Sequence, residues 1–318
     1  MNENIVRMGI RAQFKKPKAY LSSWLSPVNP DEYFERLERF RAEGEFKYQL
    51  APTIELSYGK DTLPFDLQVR ETEIRWRVIH AALNEKSEEW ICGFRLSVVY
   101  SYWIARLNRR AQQVRIDDFS AGRRPNRLPT MWLQRTMGAA ADCLALGWQN
   151  EAVDLARDAV WGVVNSGFID GGDDLHRRAH YFILRLIADW QRWELKGLPQ
   201  CASDEPLYNE LLANWRSDDL ALVEHLLLAA CDRHTHEAMP SNVNKGRESD
   251  FSDFAMYYNP HEVLAVSRLR EVLGLPNPQV DHLLMSTPIG KLHDPAPFEL
   301  NDELKTVLSQ FRKTYPDL

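Results

Sequence analysis

Apolar residues recur every three to four positions over long stretches of this chain, which is the spacing of an amphipathic α-helix. The run Asn29-Pro30-Asp31-Glu32 suits a helix start, because it offers a side-chain acceptor, a proline at the first helical position and an early acid. The apolar stripe that follows consists of Tyr33, Phe34, Leu37 and Phe40. The run Asn259-Pro260-His261-Glu262 repeats this start, and Gly274 predicts the end of its helix near Leu273.

Between these two starts the same spacing predicts further helices. Long helices are expected over residues 69–84 and 88–113. A helix capped by Thr130 should end at Gly147, and a second should begin near Asn150. Their short connection and small residues predict an antiparallel hairpin like those of tetratricopeptide arrays. More helices are predicted after Asp173, over residues 205–215 and from a cap at Ser217.

Few segments alternate apolar and polar residues with period two, so strands are not expected. The predicted fold class is therefore all-α: a multi-helix assembly of antiparallel hairpins, with tetratricopeptide-like pairing as one form. The polar segment 117–129 contains Gly122, Pro125 and Pro129 and is predicted to be a boundary. It separates an N-terminal helical region, residues 1–120, from a C-terminal helical domain, residues 130–318.

Composition narrows the classes of partner. The chain has 318 residues, 44% apolar and 26% charged, with a formal charge of −6, as expected for a mildly acidic globular protein. Asp117 and Asp118 interrupt the one basic run, so a solvated helix end is favoured over a nucleic-acid site. That run contains Arg106, Arg109, Arg110, Arg115, Arg123, Arg124 and Arg127. No apolar leader or uncharged stretch of about 20 residues is present. We therefore expect a cytoplasmic protein without nucleic-acid or membrane partners.

Cysteines and histidines are the candidates for metal or redox chemistry. The four cysteines are far apart and form no Cys-x-x-Cys pair, which predicts reduced structural thiols. His176 and His180 are one helical turn apart, but Arg177 and Arg178 between them would place two cations beside a metal. No glycine-rich phosphate loop and no Gly-x-Ser-x-Gly motif is present. We expect neither a catalytic constellation nor a bound metal or cofactor.

A denser polar cluster lies near the predicted end of the helix that begins at Ser217. His225, Asp232 and His236 share one helix face, an arrangement that a metal-dependent hydrolase would need to complete with a donor from another helix. The alternative is a structural cluster, including an Asp–His pair that closes the helix end. We favour the structural alternative, because one helix alone contributes the residues. The cluster consists of His225, Asp232, Arg233, His234 and His236.

Helical periodicity disappears between residues 237 and 258, where acids and aromatic residues are interspersed in a polar stretch. Unpatterned loops of this length in compact domains are usually functional or disordered. We expect an exposed binding surface, in which the acids attract a basic partner and the aromatic residues supply rigid apolar area. The equally weighted alternative is a surface loop whose aromatic residues dock back on the body.

Several runs in the second half of the chain resemble one known family. They are His176-Arg177-Arg178-Ala179-His180-Tyr181-Phe182, Asp189-Trp190, Glu205-Pro206-Leu207-Tyr208-Asn209, Trp215-Arg216-x-Asp218, Ala229-Ala230-Cys231-Asp232-Arg233-His234-Thr235-His236, Pro260-His261-Glu262-Val263, Leu269-Arg270, Gly274-Leu275-Pro276-Asn277-Pro278, and Asp281-His282-Leu283-Leu284-Met285-x-x-Pro288-x-Gly290. Together they resemble the immunity protein 49 family. The resemblance covers roughly residues 130–292, and the first hundred or so residues show no specific resemblance.

The resemblance implies a mostly helical bacterial antitoxin of a polymorphic toxin or contact-dependent system, such as type VI secretion. It implies that the chain binds its cognate toxin in the producer's cytoplasm, and the expected toxin is a nuclease effector domain. The expected toxin-binding residues are Glu248, Asp250, Phe251, Asp253, Phe254, Tyr257 and Tyr258, with the acidic turn Asp170, Asp173 and Asp174 as the other candidate surface. A helical-repeat adaptor and, less favoured, a metal-dependent hydrolase are the alternative functions.

Overall fold

The computed structural model describes residues 63–83, 90–123, 133–164, 177–238 and 249–316. These residues form eleven α-helices and two short 3₁₀ helices, with no strand among them, which confirms the predicted all-α class. The helix predicted after Asn29 and the proposed cap Thr130 lie outside the described residues. No helix in the described part is both long and apolar enough to cross a membrane.

The first four helices of the described part form two packed pairs. Helix α1 spans Leu63–Leu83 and packs along α2, Trp90–Ser120. Helix α2 extends seven residues beyond its predicted end at 113, to Ser120, inside the segment predicted as a boundary. Helices α3, Leu133–Ala145, and α4, Gln149–Val164, pack against each other across a short turn, as predicted for a hairpin.

The central helices follow. Helix α5 spans Arg178–Gln191, and after a 3₁₀ turn at Gln200–Ser203 come α6, Pro206–Asn214, and α7, Leu220–Glu237. The predicted cap of α7 is displaced by two residues: Asp219 accepts from the backbone N–H of Leu222, while Ser217 accepts from Asp219. Helix α8, Phe254–Tyr257, is a single turn, and α9, His261–Val272, follows it. The chain closes with α10, Leu283–Ser286, a 3₁₀ turn at Pro288–Gly290, and α11, Asp302–Thr314.

Two glycines end helices as their positions predict. Gly147 and Gly274 have φ values of +82° and +71°, the left-handed conformation that glycine adopts readily. After α3, Trp148 donates to the Cys143 carbonyl at 2.8 Å, and after α9, Leu275 donates to the Arg270 carbonyl at 2.8 Å. Each of these six-residue closures satisfies a carbonyl that the helix itself leaves open.

Helix α3 lies at the centre of the assembly. It packs against α2, α4, α5 and α9, and all its residues except Arg135 are buried. Its small residues permit this, because a run of glycine and alanines lets neighbouring helices approach closely. One hydrophobic cluster extends from Leu67 to Phe311. The regions on either side of the predicted boundary therefore share one core in the described part of the chain.

A buried ion pair also joins the two regions. Arg75 of α1 donates to Asp142 of α3 at 2.8 Å and to Glu71 at 2.7 Å. Asn259 donates to the other oxygen of Asp142 at 2.7 Å. The capping role predicted for Asn259 is therefore wrong: its side chain bonds Asp142, and α9 begins without a side-chain cap. The helix itself and its end were predicted correctly.

Candidate functional site

Most of the placed residues expected to form an exposed binding surface are buried. Asp250 and Phe251 are 2% and 0% exposed, and Tyr257 and Tyr258 are also buried. The prediction that they form an exposed surface is therefore wrong. Burying the rings of Phe251, Tyr257 and Tyr258 against the rest of the protein is more favourable than exposing them to water. This is the alternative in which the aromatic residues dock back on the body. Asp253 remains partly exposed, accepts from the backbone N–H of Ala255 and lies 3.5 Å from Arg135.

Other expected residues lie where the structure gives no description. Glu248 and the acidic turn Asp170, Asp173 and Asp174 fall outside the described residues, as does His176. The backbone of Phe254 begins α8. The expectations for these residues stay predictions.

Asp250 caps a helix that lies far from it in sequence. Its carboxylate accepts from the backbone N–H of Arg178 at 2.8 Å and from that of Ala179 at 3.4 Å. Both groups belong to the first turn of α5, whose N-terminal N–H groups have no partner within the helix. A carboxylate there is stabilised by the positive end of the helix dipole as well as by the hydrogen bonds. Asp250 therefore fixes the start of α5 from 71 and 72 residues away.

Arg233 is the buried cation of the same site. Its two terminal nitrogens lie 2.8 Å from Glu205 and 2.8 Å from Asp250, and all three side chains are at most 3% exposed. Glu205 also caps α6, by accepting from the backbone N–H of Leu207. Burial lowers the pKa of Arg233, but Glu205 and Asp250 more than offset it, so the pKa lies well above its ordinary value. Arg233 stays charged and joins the starts of α5 and α6 to α7.

Further charged groups extend this network. Arg178 donates to Asp204 at 2.7 Å, and Arg177 donates to the carbonyl of Ser249. Glu237, the last residue of α7, accepts from the backbone N–H of Asp250 at 3.2 Å. Burial raises the pKa of Glu237 to about 8; Arg233 opposes the shift and Asp250 adds to it. Glu237 is therefore mostly protonated at neutral pH.

The raised pKa of Glu237 predicts a pH dependence that the Glu237→Gln variant should lack. The carboxyl binds its proton more tightly in the folded state, with a pKa of about 8, than in the unfolded chain, where it is near 4.5. Its contribution to stability is therefore fully present below pH 4.5 and is lost as the pH rises towards 8. We expect the melting temperature of the wild type, relative to Glu237→Gln, to fall between pH 5 and pH 8.5. A difference that stays constant or grows with pH would contradict the assignment.

A second buried pair lies beside this network. His234 Nδ1 is 2.8 Å from Glu262, and Nε2 is 2.9 Å from the carbonyl oxygen of Met256. A carbonyl can only accept, so Nε2 carries a proton, and the contact between Nδ1 and Glu262 requires another. Whichever partner holds that second proton, the pair is neutral overall. The ring of Phe251 stacks on His234 with centroids 3.9 Å apart, which closes the pair off from solvent.

Two further histidines surround Phe251. The rings of His180 and His261 lie 5.9 and 5.7 Å from it. Burial lowers the pKa of His180 well below its ordinary value, and His261 lowers it further. Burial also lowers the pKa of His261, to about 4, against the opposing effect of Glu262. Both rings are therefore neutral at pH 7 and pack as aromatic groups.

Most of the predicted polar cluster is buried. Arg233, His234 and His236 are at most 2% exposed, and Asp232 lies 3.5 Å from Nε2 of His282. This contact joins the end of α7 to the residue that precedes α10. The described residues contain no group of three histidine, cysteine or acidic side chains that could hold a metal.

Sequence reasoning missed Glu205, Asp250, Glu237 and Glu262 as members of one polar interior. The sequence predicts that Asp250 contacts a partner protein and that Glu205 begins a helix. The available signal was chemical: a cluster with Arg233 on an otherwise apolar helix requires acids from other segments, because a buried arginine is costly without them. Comparison of the chain with protein-family models, with curated proteins and with solved structures finds no match.

Proposed function

We propose that this protein is an immunity protein, which binds and neutralises a cognate antibacterial toxin in the cytoplasm of the cell that produces both. The proposal starts from the sequence resemblance to the immunity protein 49 family. Its main support is that separate runs carrying this resemblance meet in one place. His180, Glu205, Arg233 and Glu262 come from four of those runs, and all lie in the buried polar interior described above.

This convergence matters because the runs are mutually dependent. Glu205 lies against Arg233, and His234 lies against Glu262, so three of the runs supply buried partners for one another. Independent similarities scattered along a chain have no reason to complete each other's buried ion pairs. The resembling residues therefore describe one structural unit, which supports relationship at the level of the fold. Binding to a toxin is the function that this relationship implies.

Most of the segment 249–258 is buried, so we propose a different surface for the toxin contact. A basic nuclease cleft would instead be met by acids that reach solvent. Asp204, Asp218 and Asp219 are exposed near the start and end of α6. Asp204 already pairs with Arg178, and Asp219 caps α7, so Asp218 is the one of the three best suited to a charge-reversal test.

The proposal is tested by expressing the chain together with the toxin domain encoded beside it. We expect growth of the bacterial host to be restored and a stoichiometric complex to form between the purified proteins. With a basic toxin, the association rate should fall as salt rises from about 0.05 to 0.5 M, because screening weakens electrostatic steering. Asp218→Lys should slow association further, whereas Glu299→Lys, an exposed acid near the C-terminal end of the chain, should not.

Two results would overturn the proposal. A correctly folded chain, as judged by its helical circular dichroism spectrum, that neither protects the host nor binds the toxin would exclude the immunity function. Stoichiometric zinc in the purified protein, removed together with an activity by a chelator, would favour the metal-dependent hydrolase instead.

A further inference from the structure

A cavity of about 400 Å³ opens between α5 and the segment that follows it. This volume lies within the roughly 300 to 1,000 Å³ typical of small-molecule sites. Its apolar walls include Trp193, Leu195, Leu198 and Leu212, which are partly buried and pack against the core. Arg185 of α5 supplies a cation to the lining. None of these residues has a role in the buried polar interior or in the toxin contact proposed above.

The wall opposite α5 is formed by an unusual turn. Arg192 follows α5 in the left-handed conformation, with φ of +58°, and is the one non-glycine residue with positive φ in the described part of the chain. The left-handed conformation is unfavourable for an arginine, so the surrounding structure must hold Arg192 in it. Trp193 then donates its backbone N–H to the Ala188 carbonyl at 2.8 Å. The turn directs residues 193–199 back along α5 and so creates the cavity.

Arg185 is the chemically distinctive group of the lining. Its Nη1 donates to the carbonyl of Ala202 at 3.0 Å and to Oδ1 of Asn209 at 2.7 Å, which fixes the guanidinium in place. Both of these partners are neutral. Within the described residues, Nε and Nη2 of Arg185 have no hydrogen-bond partner, and no carboxylate pairs with the group. Burial lowers the pKa of Arg185, and no acid offsets this shift.

Asp189 is not the counter-ion of Arg185, although it also lines the cavity. Its carboxylate accepts from Nε1 of Trp215 at 2.8 Å and pairs with Arg216. Arg185 therefore presents the edge of its guanidinium, Nε and Nη2, without a counter-ion. That edge can bind a carboxylate through two parallel hydrogen bonds.

We propose that this cavity binds a small organic carboxylate, with the carboxylate on Nε and Nη2 of Arg185 and an apolar group against Trp193 and the three leucines. The apolar walls set a preference for an aromatic or branched aliphatic group next to the charge. The same chemistry is offered by a free metabolite and by the C-terminal residue of a peptide, and the two sources differ in the group beside the carboxylate.

Isothermal titration calorimetry with the full chain tests the site. The probes are phenylacetate for a free acid, N-acetyl-leucine for a peptide terminus, and phenylacetamide as the neutral isostere of phenylacetate. We expect one or both acids to bind and the amide to bind at least about tenfold more weakly, because hydrogen bonds to a charged group are lost. The acid that binds more tightly identifies the source. Binding of neither acid, or equal binding of acid and amide, would overturn the proposal.

Variants separate a bound carboxylate from binding elsewhere. Arg185→Met should weaken binding of the acid at least about tenfold, and Arg185→Lys less, because lysine keeps the charge but not the planar fork. Lys196→Met is the matched control: it removes a largely exposed cation from the same segment, outside the cavity lining. Ser203→Trp, at an exposed position of the lining, should block the cavity even if Arg185→Met fails to fold. Unchanged affinity in Ser203→Trp would show that the cavity is not the site.

Discussion

The Asp250→Lys variant is expected to unfold, or to lose about 5 kcal/mol or more of its free energy of unfolding. The substitution removes one of the two carboxylate partners of Arg233 and places a second cation beside it in the interior, at a residue that is 2% exposed. It also removes the cap of α5, which contributes about 1 kcal/mol more. Since domains are typically stable by about 5 to 15 kcal/mol, we expect little soluble folded protein.

Chemical denaturation followed by circular dichroism measures this effect. Asp253→Lys is the control, because Asp253 lies three residues away and is partly exposed; it should lose only about 1 kcal/mol, with its own cap on Ala255. Asp250→Asn keeps the acceptor for Arg178 but not the charge, and should lie between the two. If Asp250→Lys were as stable as Asp253→Lys, the buried network would be wrong.

The Arg75→Met variant is expected to lose about 3 to 5 kcal/mol, because it leaves Asp142 and Glu71 as buried carboxylates without their cation. Burial lowers the pKa of Arg75, but Asp142 and Glu71 outweigh it, so the arginine is fully charged in the folded protein. The same substitution at Arg77 gives a matched control on the same helix, since that side chain is 79% exposed.

Arg77→Met should change the free energy of unfolding by less than about 0.5 kcal/mol, because exposed ion pairs contribute little. The two variants are compared by urea denaturation at one pH. Equal losses would mean that Arg75 is no more important than a surface arginine. Two separate transitions in Arg75→Met, each with a smaller urea dependence than the single transition of the wild type, would reveal that α1 and α2 detach before the rest.

Features that depend on residues close in sequence were predicted well from the sequence, whereas features that depend on residues distant in sequence were not. Gly147 and Gly274 end α3 and α9 because each helix end needs a residue in the left-handed conformation. The glycine at that position is itself the sequence signal. The end of α5 had no such signal, since Arg192 adopts the left-handed conformation without being glycine. The cap of α5 was equally hidden, because the group that supplies it, Asp250, is distant in the chain.

The candidate site failed on the same distinction. The stretch 249–258 has no helical periodicity and contains charges, which is typical of an exposed loop. Its burial depends on partners from α3, α5 and α7, and no property of the stretch itself specifies them. The sequence groups Arg233 and His234 in one polar cluster, but it does not select their acidic partners, because every acid along the chain is an equally good candidate by sequence.

Helix α9 uses its buried arginines in a different way from Arg233. Arg268 donates to the carbonyl of Ala145, at the end of α3, and Arg270 donates to the carbonyls of Ser217 and Pro276. Each guanidinium thereby satisfies acceptors that a helix end or turn leaves open. Arg268 also pairs with the Glu271 carboxylate at 2.7 Å, but the other acceptors are main-chain atoms, which any residue at those positions supplies. Covariation between pairs of positions would therefore not reveal these contacts. A contact map derived from covariation would lack the hydrogen bonds from these arginines to the backbone.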